Sequence, residues 1–322
     1  GWQGFQGNFH FHNSSTLVCE GSWSASMETL EVQLERRSPP GESPSLPQVV
    51  CLSLDSTVPT FATDTILVAE ASRRALISCL VNVRGRAQYG EEWDYCGRHK
   101  SGEQPINLES VLTGKDANGD PRTGHTHAYF LPTDENGDGR IDRLTLFSRS
   151  GFHADELQAI DMLQDIRLQG RENGAYSIRA VRMQSAVETA PVARTWISIT
   201  PYIATRHAKA RGRERVDMGD WNSCVAFISA DLRAQLAAVR ADIAAEIIDQ
   251  AIIAPLSCEG HFQLANRWSP GEFVRSRAKL GDDGARRPAG AFRIDFPMEV
   301  EGPIAIGTHA HFGMGLFSPL SP

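Results

Sequence analysis

His125 and His127 stand two residues apart in GHTHAYFLPTDENGDGRID, and a second such pair, His309 and His311, stands in THAHFG toward the end of the chain. Imidazole is the side chain whose charge changes nearest neutral pH, so such a pair suits metal ligation or general acid–base work. HAYFLP reads as a strand, and on a strand the i, i+2 spacing puts both rings on one face. A metal held by His125 and His127 would need one or two further ligands. His309 and His311 could supply them, giving a four-histidine site. The alternative for each ring is a hydrogen-bonded structural histidine. A fifth candidate, His207, follows the strand pattern RTWISIT inside the basic loop RHAKARGRER. There Arg206, Lys209 and Arg211 would neutralise backbone phosphates.

Two neighbouring motifs admit plainer readings. Asp134, Asn136, Asp138 and Gly139 match the first half of a calcium loop, with Asp142 at its ninth position. The bidentate Glu expected at the twelfth is Thr145. Asn-Gly and Asp-Gly also make hairpin turns, and a structural hairpin is the favoured reading. In GPIAIGTHAHFGMGLFSP, Gly302, Gly307, Gly313 and Gly315 would let a backbone approach a phosphate. The stretch matches neither the dinucleotide fingerprint nor the P-loop, and close packing in a terminal hairpin explains it equally well.

Charge narrows the partner. Lys and Arg number 32 against 39 Asp and Glu, a net charge of −7, which argues against indiscriminate nucleic-acid binding. Yet the loop at 206–215 is basic, and Arg275, Arg277, Lys279, Arg286 and Arg287 form a second basic cluster. Basic loops on an acidic chain suggest a defined anionic ligand; solvated surface loops are the alternative. No run is long and apolar enough for a membrane span, and no secretory signal pattern is present. The six cysteines are scattered, without a CxxC pair, and read as reduced thiols of a cytoplasmic protein.

The elements that must carry these residues follow two cycles. Residues 1–45 are Ser- and Pro-rich, a linker or the remnant of a preceding domain, with one short strand pattern in METLEVQLE. The first cycle, 46–190, has a strand at 48–55, a helix at 63–81 and a polar insertion at 84–123. The strands of the acidic hairpin come next, then a helix at 154–169 and a strand at 176–184. That order is βαββαβ, the ferredoxin-like arrangement. The second cycle, 191–322, has a strand at 194–200 and a long helix at 229–252, with Leu232, Leu236, Val239, Ile243 and Ile247 on its buried face. Strands at HFQLAN and AFRIDFP follow, the short segment VEGPIAIG replaces the last helix, and GPIAIG and HFGMGLF close the chain. The fold class is α+β: two tandem ferredoxin-like (RRM-like) domains, the second degenerate.

These pieces in this order resemble a known family. LTGKDANGDPRTGHTHAYFLPTDENGDGRIDRLTLFSRSGF, RTWISITPYIATRH, FRIDFPMEVEGPIAIG and HAHFGMGLFSP look like the endoribonuclease half of a CRISPR-associated fusion. In that fusion, of a minor type I subtype, the Cascade backbone-cap subunit is joined to the repeat-cleaving endoribonuclease. The resemblance runs from about Leu46 onward and leaves 1–45 as a remnant of the cap half or a linker. It implies two ferredoxin-like domains and cleavage of CRISPR repeat RNA without metal or other cofactor. It also implies retention of the product crRNA beside other type I effector subunits. In such cleavage the 2′-hydroxyl attacks the adjacent phosphate, leaving a 2′,3′-cyclic phosphate and a 5′-hydroxyl, which calls for a base, an acid and a cation. The expected catalytic residues are His125, His127 and His207. The expected RNA contacts are Arg206, Lys209, Arg211, Arg275 and Arg277, with Gly307, His309, His311, Gly313 and Gly315 lining the cleft. Two other functions fit the residues: a non-catalytic crRNA-binding subunit, and a metal-dependent phosphoesterase built on the two His-x-His pairs.

Overall fold

A computed structural model describes residues 46–94, 106–169, 174–183, 190–209, 211 and 215–320. The expected linker at 1–45, with its strand pattern, lies outside the described residues. The described residues hold two five-stranded antiparallel sheets and two small two-stranded ones.

Alternation builds the first sheet. In β1 (Val49–Asp55), Leu52 and Leu54 enter the core while Ser53 and Asp55 are exposed. α1 (Thr65–Tyr89) follows, then β2 (Tyr129–Thr133), β3 (Arg143–Phe147), α2 (Ala154–Asp161), β4 (Asp165–Gln169) and β5 (Ala175–Arg182). The strand order is β2-β3-β1-β5-β4, with Leu52 opposite Leu144 and Leu54 opposite Ala180. Without β4 this is the ferredoxin-like order, and β4 is an added edge strand. The expected helix at 154–169 therefore stops at Asp161. Ile166 and Leu168 are buried while Asp165, Arg167 and Gln169 are exposed, a period of two rather than 3.6. Conversely α1 outruns its expected end at 81. Gly85 is accommodated because the Trp93 ring lies against it. Arg84 ties the last turns to Asp155 at 2.7 Å and to the carbonyls of Asn107 and Glu109.

The second half of the chain repeats the plan around its own five-stranded sheet. Its elements are β6 (Val192–Ser198), β7 (Tyr202–Ile203), α3 (Trp221–Val239), α4 (Ala245–Gln250), β8 (Ile252–Pro255), β9 (Ser257–Cys258), β10 (His261–Phe262), β11 (Ala289–Gly290), β12 (Phe292–Glu301), β13 (Ile304–Ala305) and β14 (Leu316–Pro319). The order β13-β14-β6-β12-β8 contains the same four-strand core. A 3-10 turn at Ala310–Phe312 stands where the second helix would be, as the degenerate second cycle implies.

Two boundaries differ from expectation. The helix expected at 229–252 starts at Trp221, where the Asp220 carboxylate accepts from the Ser223 N–H at 2.8 Å, an N-cap. It ends at Val239, because Arg240 turns to Asp242 and to the Glu301 carbonyl. The sheet strand that follows is β8. Of HFQLAN, only His261 and Phe262 pair, in a small hairpin with β9.

The glycine-rich segment joins the halves. Phe312 and Met314 are buried in the core built on Ile66, Phe130 and Leu146, while Ala305, Ala310 and Leu316 pack with Tyr129, Leu131 and Phe147. A Cβ on Gly313 would meet Thr65 Cγ2 at 2.7 Å and Pro132 at 3.1 Å, and one on Gly315 would strike the Ile306 carbonyl. Both have positive φ. Gly313 serves close packing between the halves, and Gly315 close packing within the second. No helix among the described residues is long and apolar enough to cross a membrane.

Candidate functional site: two histidine clusters

His125 and His127 precede β2 instead of lying on it. Residues 124–127 form a turn and bend, and His125 is left-handed with φ 56°. The hairpin that follows is closed by its own acids. Asp134 Oδ1 and Oδ2 accept from the N–H groups of Gly137 at 2.8 Å and Gly139 at 2.7 Å, and Asp142 accepts from Glu135 N–H at 3.0 Å.

The turn brings both rings to His311. His125 Nδ1 lies 3.1 Å from His311 Nε2. The His127 ring stacks on His311 with centroids 3.5 Å apart, and Tyr129 stacks at 3.9 Å. His311 Nδ1 is 3.3 Å from the Ala128 carbonyl. A carbonyl only accepts, so Nδ1 of a neutral His311 carries the proton and Nε2 is bare. The His125 Nδ1–H must then donate to it. Neutral His125 is left with a bare Nε2.

Electrostatics keep these rings neutral. Burial pushes His311 down to about 2, with the other two histidines adding to the shift and the Ala128 bond opposing it. His127 falls to about 4 through burial, then through Arg73, His125 and Arg122. His125 is lowered by burial and by Arg149. Burial raises the Tyr129 phenol to about 12. His127 Nδ1 is buried without a hydrogen-bond partner.

His309 faces elsewhere. Its Nε2 is 3.1 Å from Asp282, with both side chains largely buried. His207 Nε2 is 2.8 Å from Asp283, which Arg287 also engages at 2.7 Å. The four-histidine arrangement is thus not assembled, and among the described residues no group of three or more His, Cys, Asp or Glu could hold a metal ion. Burial lowers His309 despite the opposing pull of Asp282. Arg287, then desolvation and His207, set Asp283, which is held down at about 2.

The remaining candidates sit around these two clusters. Arg277 binds Glu70 at 3.1 Å and lies 4.0 Å from the Phe312 ring centroid. Arg275 donates to the Arg287 carbonyl at 3.2 Å. Arg206 binds the buried Asp231 at 2.8 Å, beside the Tyr202 hydroxyl that donates to the same carboxylate. Arg211 is exposed, and the Lys209 carbonyl accepts from Val216 N–H at 2.9 Å. Gly307 packs against Tyr202 and the Ile203 carbonyl. Sequence reasoning missed Tyr129, Arg73, Glu70, Asp282 and Asp283. Tyr129 continues the two-residue spacing of His125 and His127. Asp282 and Asp283 stand in GDDGARRP, where no local spacing marks them as histidine partners.

No known family model matches the chain, and no curated protein matches it. Among solved structures, a Cas6 product complex aligns over 86% of this chain and 100% of its own, at 13% identity and a TM-score of 0.37.

Proposed function

We propose that the chain is a metal-independent endoribonuclease that cuts CRISPR repeat RNA and stays on the product as a subunit of a type I effector complex in the cytoplasm. Residues 46–190 and 191–322 would be its two domains. The observation that carries this reading is the Ala128–His311–His125 hydrogen-bond chain, which leaves a lone pair on His125 Nε2. The motif resemblance supplies the substrate class. His125 Nε2 takes the proton from the 2′-hydroxyl, the oxygen attacks phosphorus, and the bond to the 5′-oxygen breaks. That oxygen takes a proton from water or from an acid, leaving a 2′,3′-cyclic phosphate and a 5′-hydroxyl. Neutral His127 can donate an N–H to the phosphorane, and Arg73, whose charge acts on both His127 and His311, offsets its negative charge. His207 and Lys209 would contact RNA phosphate from the basic loop.

The test is labelled repeat RNA in EDTA. Cleavage to a cyclic-phosphate end, lost in His125→Ala, is expected; activity that needs an added divalent ion would instead favour the phosphoesterase. A non-catalytic crRNA-binding subunit is the second reading. It is favoured by the absence of a protonated imidazole in the stack, and tight binding with no cutting would establish it.

A further inference from the structure

A cavity of about 210 Å3 lies between the two halves, lined by Gln48, Phe147 and Arg149 from the first and Arg240, Asp242 and Glu301 from the second. One arginine comes from each half, and both meet Asp242. Arg149 Nη1 donates to it at 2.6 Å, and Arg240 Nε and Nη2 donate at 2.9 and 2.7 Å. Arg240 Nη2 also donates to the Glu301 carbonyl at 2.5 Å. The Arg240 side chain is only 3% exposed.

As a strut between halves, this cluster is over-supplied with donors. Two guanidiniums share one carboxylate, and Arg149 Nε and Arg240 Nη1 are buried without any hydrogen-bond partner. Buried donors are normally satisfied, and leaving them orphaned is costly. Arg240 holds Asp242 through both Nε and Nη2, so Arg149, a third exposed at the cavity, is the guanidinium that can turn to an acceptor-rich ligand there. Arginine's planar fork matches the oxygens of a phosphate group. A water occupies about 30 Å3, so the space holds a tetrahedral oxyanion with solvent beside it. The location adds direction. Arg149 is near enough to His125 to disfavour its protonation, and Arg149 and Arg240 both act electrostatically on Tyr129.

We propose that this cavity is a phosphate subsite, in which Arg149 holds a backbone phosphate of the RNA strand next to the phosphodiester presented to His125, while Arg240 behind it keeps Asp242 engaged. The RNA identity of the ligand rests on the endoribonuclease reading; the phosphate chemistry does not. Arg149 is then a positioning residue, which registers the strand without touching the reacting atoms.

The experiment uses the full chain with two probes, inorganic phosphate and a single-stranded RNA oligonucleotide. Arg149→Ala is compared with Arg182→Ala, whose arginine is as exposed as Arg149 at 33% and pairs with Asp161 at the same 2.6 Å. Inorganic phosphate is expected to raise the melting temperature of the wild type and of R182A more than that of R149A. R149A is expected to bind RNA several-fold more weakly, with a log–log salt slope shallower by about 0.7. If R149A does not fold, Arg149→Lys keeps the charge without the fork and is expected to weaken phosphate binding several-fold. Equal phosphate responses in the arginine-149 variant and R182A overturn the subsite, as does a wild type that gains nothing from phosphate. Phosphate binding that depends on Arg149 in a protein that leaves repeat RNA uncut supports the subsite and overturns the endoribonuclease reading alone.

Discussion

His125, His127, Tyr129 and the Ala128 carbonyl all meet His311, whereas His207 and His309 each meet an aspartate. A carboxylate beside an imidazole favours the protonated ring, while burial among rings and arginines favours the neutral one. The first cluster is therefore arranged to present a lone pair, and the second to hold a hydrogen-bonded ring against an acid. The chain separates these environments within three residues. His309 and His311 flank Ala310, and the left-handed backbone at His309, φ 64°, sends the two rings to different partners. The same i, i+2 spacing that would align side chains on a strand divides them on a 3-10 turn.

The largest expected effect breaks the comparison if it fails. His125→Ala should lower single-turnover cleavage of repeat RNA by ~10²–10⁴-fold, the usual range for a general acid–base group, with affinity within a few-fold of wild type. His309→Ala and His207→Ala should lose less. The acid-side rise of the wild-type rate should have its midpoint below 6.5, because burial and Arg149 both disfavour protonated His125. If His309→Ala or His207→Ala stops cleavage while His125→Ala cuts normally, the chemistry belongs to the aspartate-paired histidines and the stack is architecture.

Part of this was legible in the sequence. The four-strand core of the first sheet follows from the βαββαβ sequence of elements, whereas β4 falls inside a segment read as helix and β8 begins at the last residue of another. The missing second helix of the second cycle was legible too, because its glycines do not support one. The helix ends were not. Ile166 and Leu168 suit either period over so short a stretch, and the α3 cap at Asp220 stands in VDMGDW, where Asp217 is as good a cap by residue type. The pairing of His125 with His311 spans 186 positions. No local spacing encodes it; it depends on Phe312 and Met314 entering the core of the first half. The aspartate partners of His207 and His309 escaped for the same reason.

Acid should separate the clusters by stability. Folded His127 titrates near 4 against about 6.5 unfolded. Below pH 6.5 the unfolded chain takes up a proton that the folded His127 refuses, so the His127 contribution falls with falling pH and levels off near 4, while His311, held lower still, goes on costing stability below that. At one pKa unit per 1.36 kcal/mol the full loss is up to about 3 kcal/mol. Denaturant melts of the wild type between pH 7 and pH 4 should show this slope. His127→Gln should flatten it and His309→Gln much less. Equal slopes in all three proteins would mean that His127 is not held neutral by the fold.

The smallest effect concerns the cations around each cluster. Arg277 is committed to Glu70, whose side chain is 11% exposed, and to the face of Phe312. Removing it leaves a nearly buried carboxylate without its arginine, so Arg277→Ala should act chiefly on folding and lower the melting temperature. Arg211 is exposed on the loop beside His207. Arg211→Ala should leave the melting temperature alone, weaken RNA binding by a few-fold and flatten the log–log salt slope by about 0.7 for a single-stranded contact. Measuring both variants by thermal melting and by salt-dependent RNA binding distinguishes the two roles. A flattened slope in R277A at unchanged melting temperature would instead make this arginine an RNA contact. The basic loop would then lose its place as the main electrostatic surface.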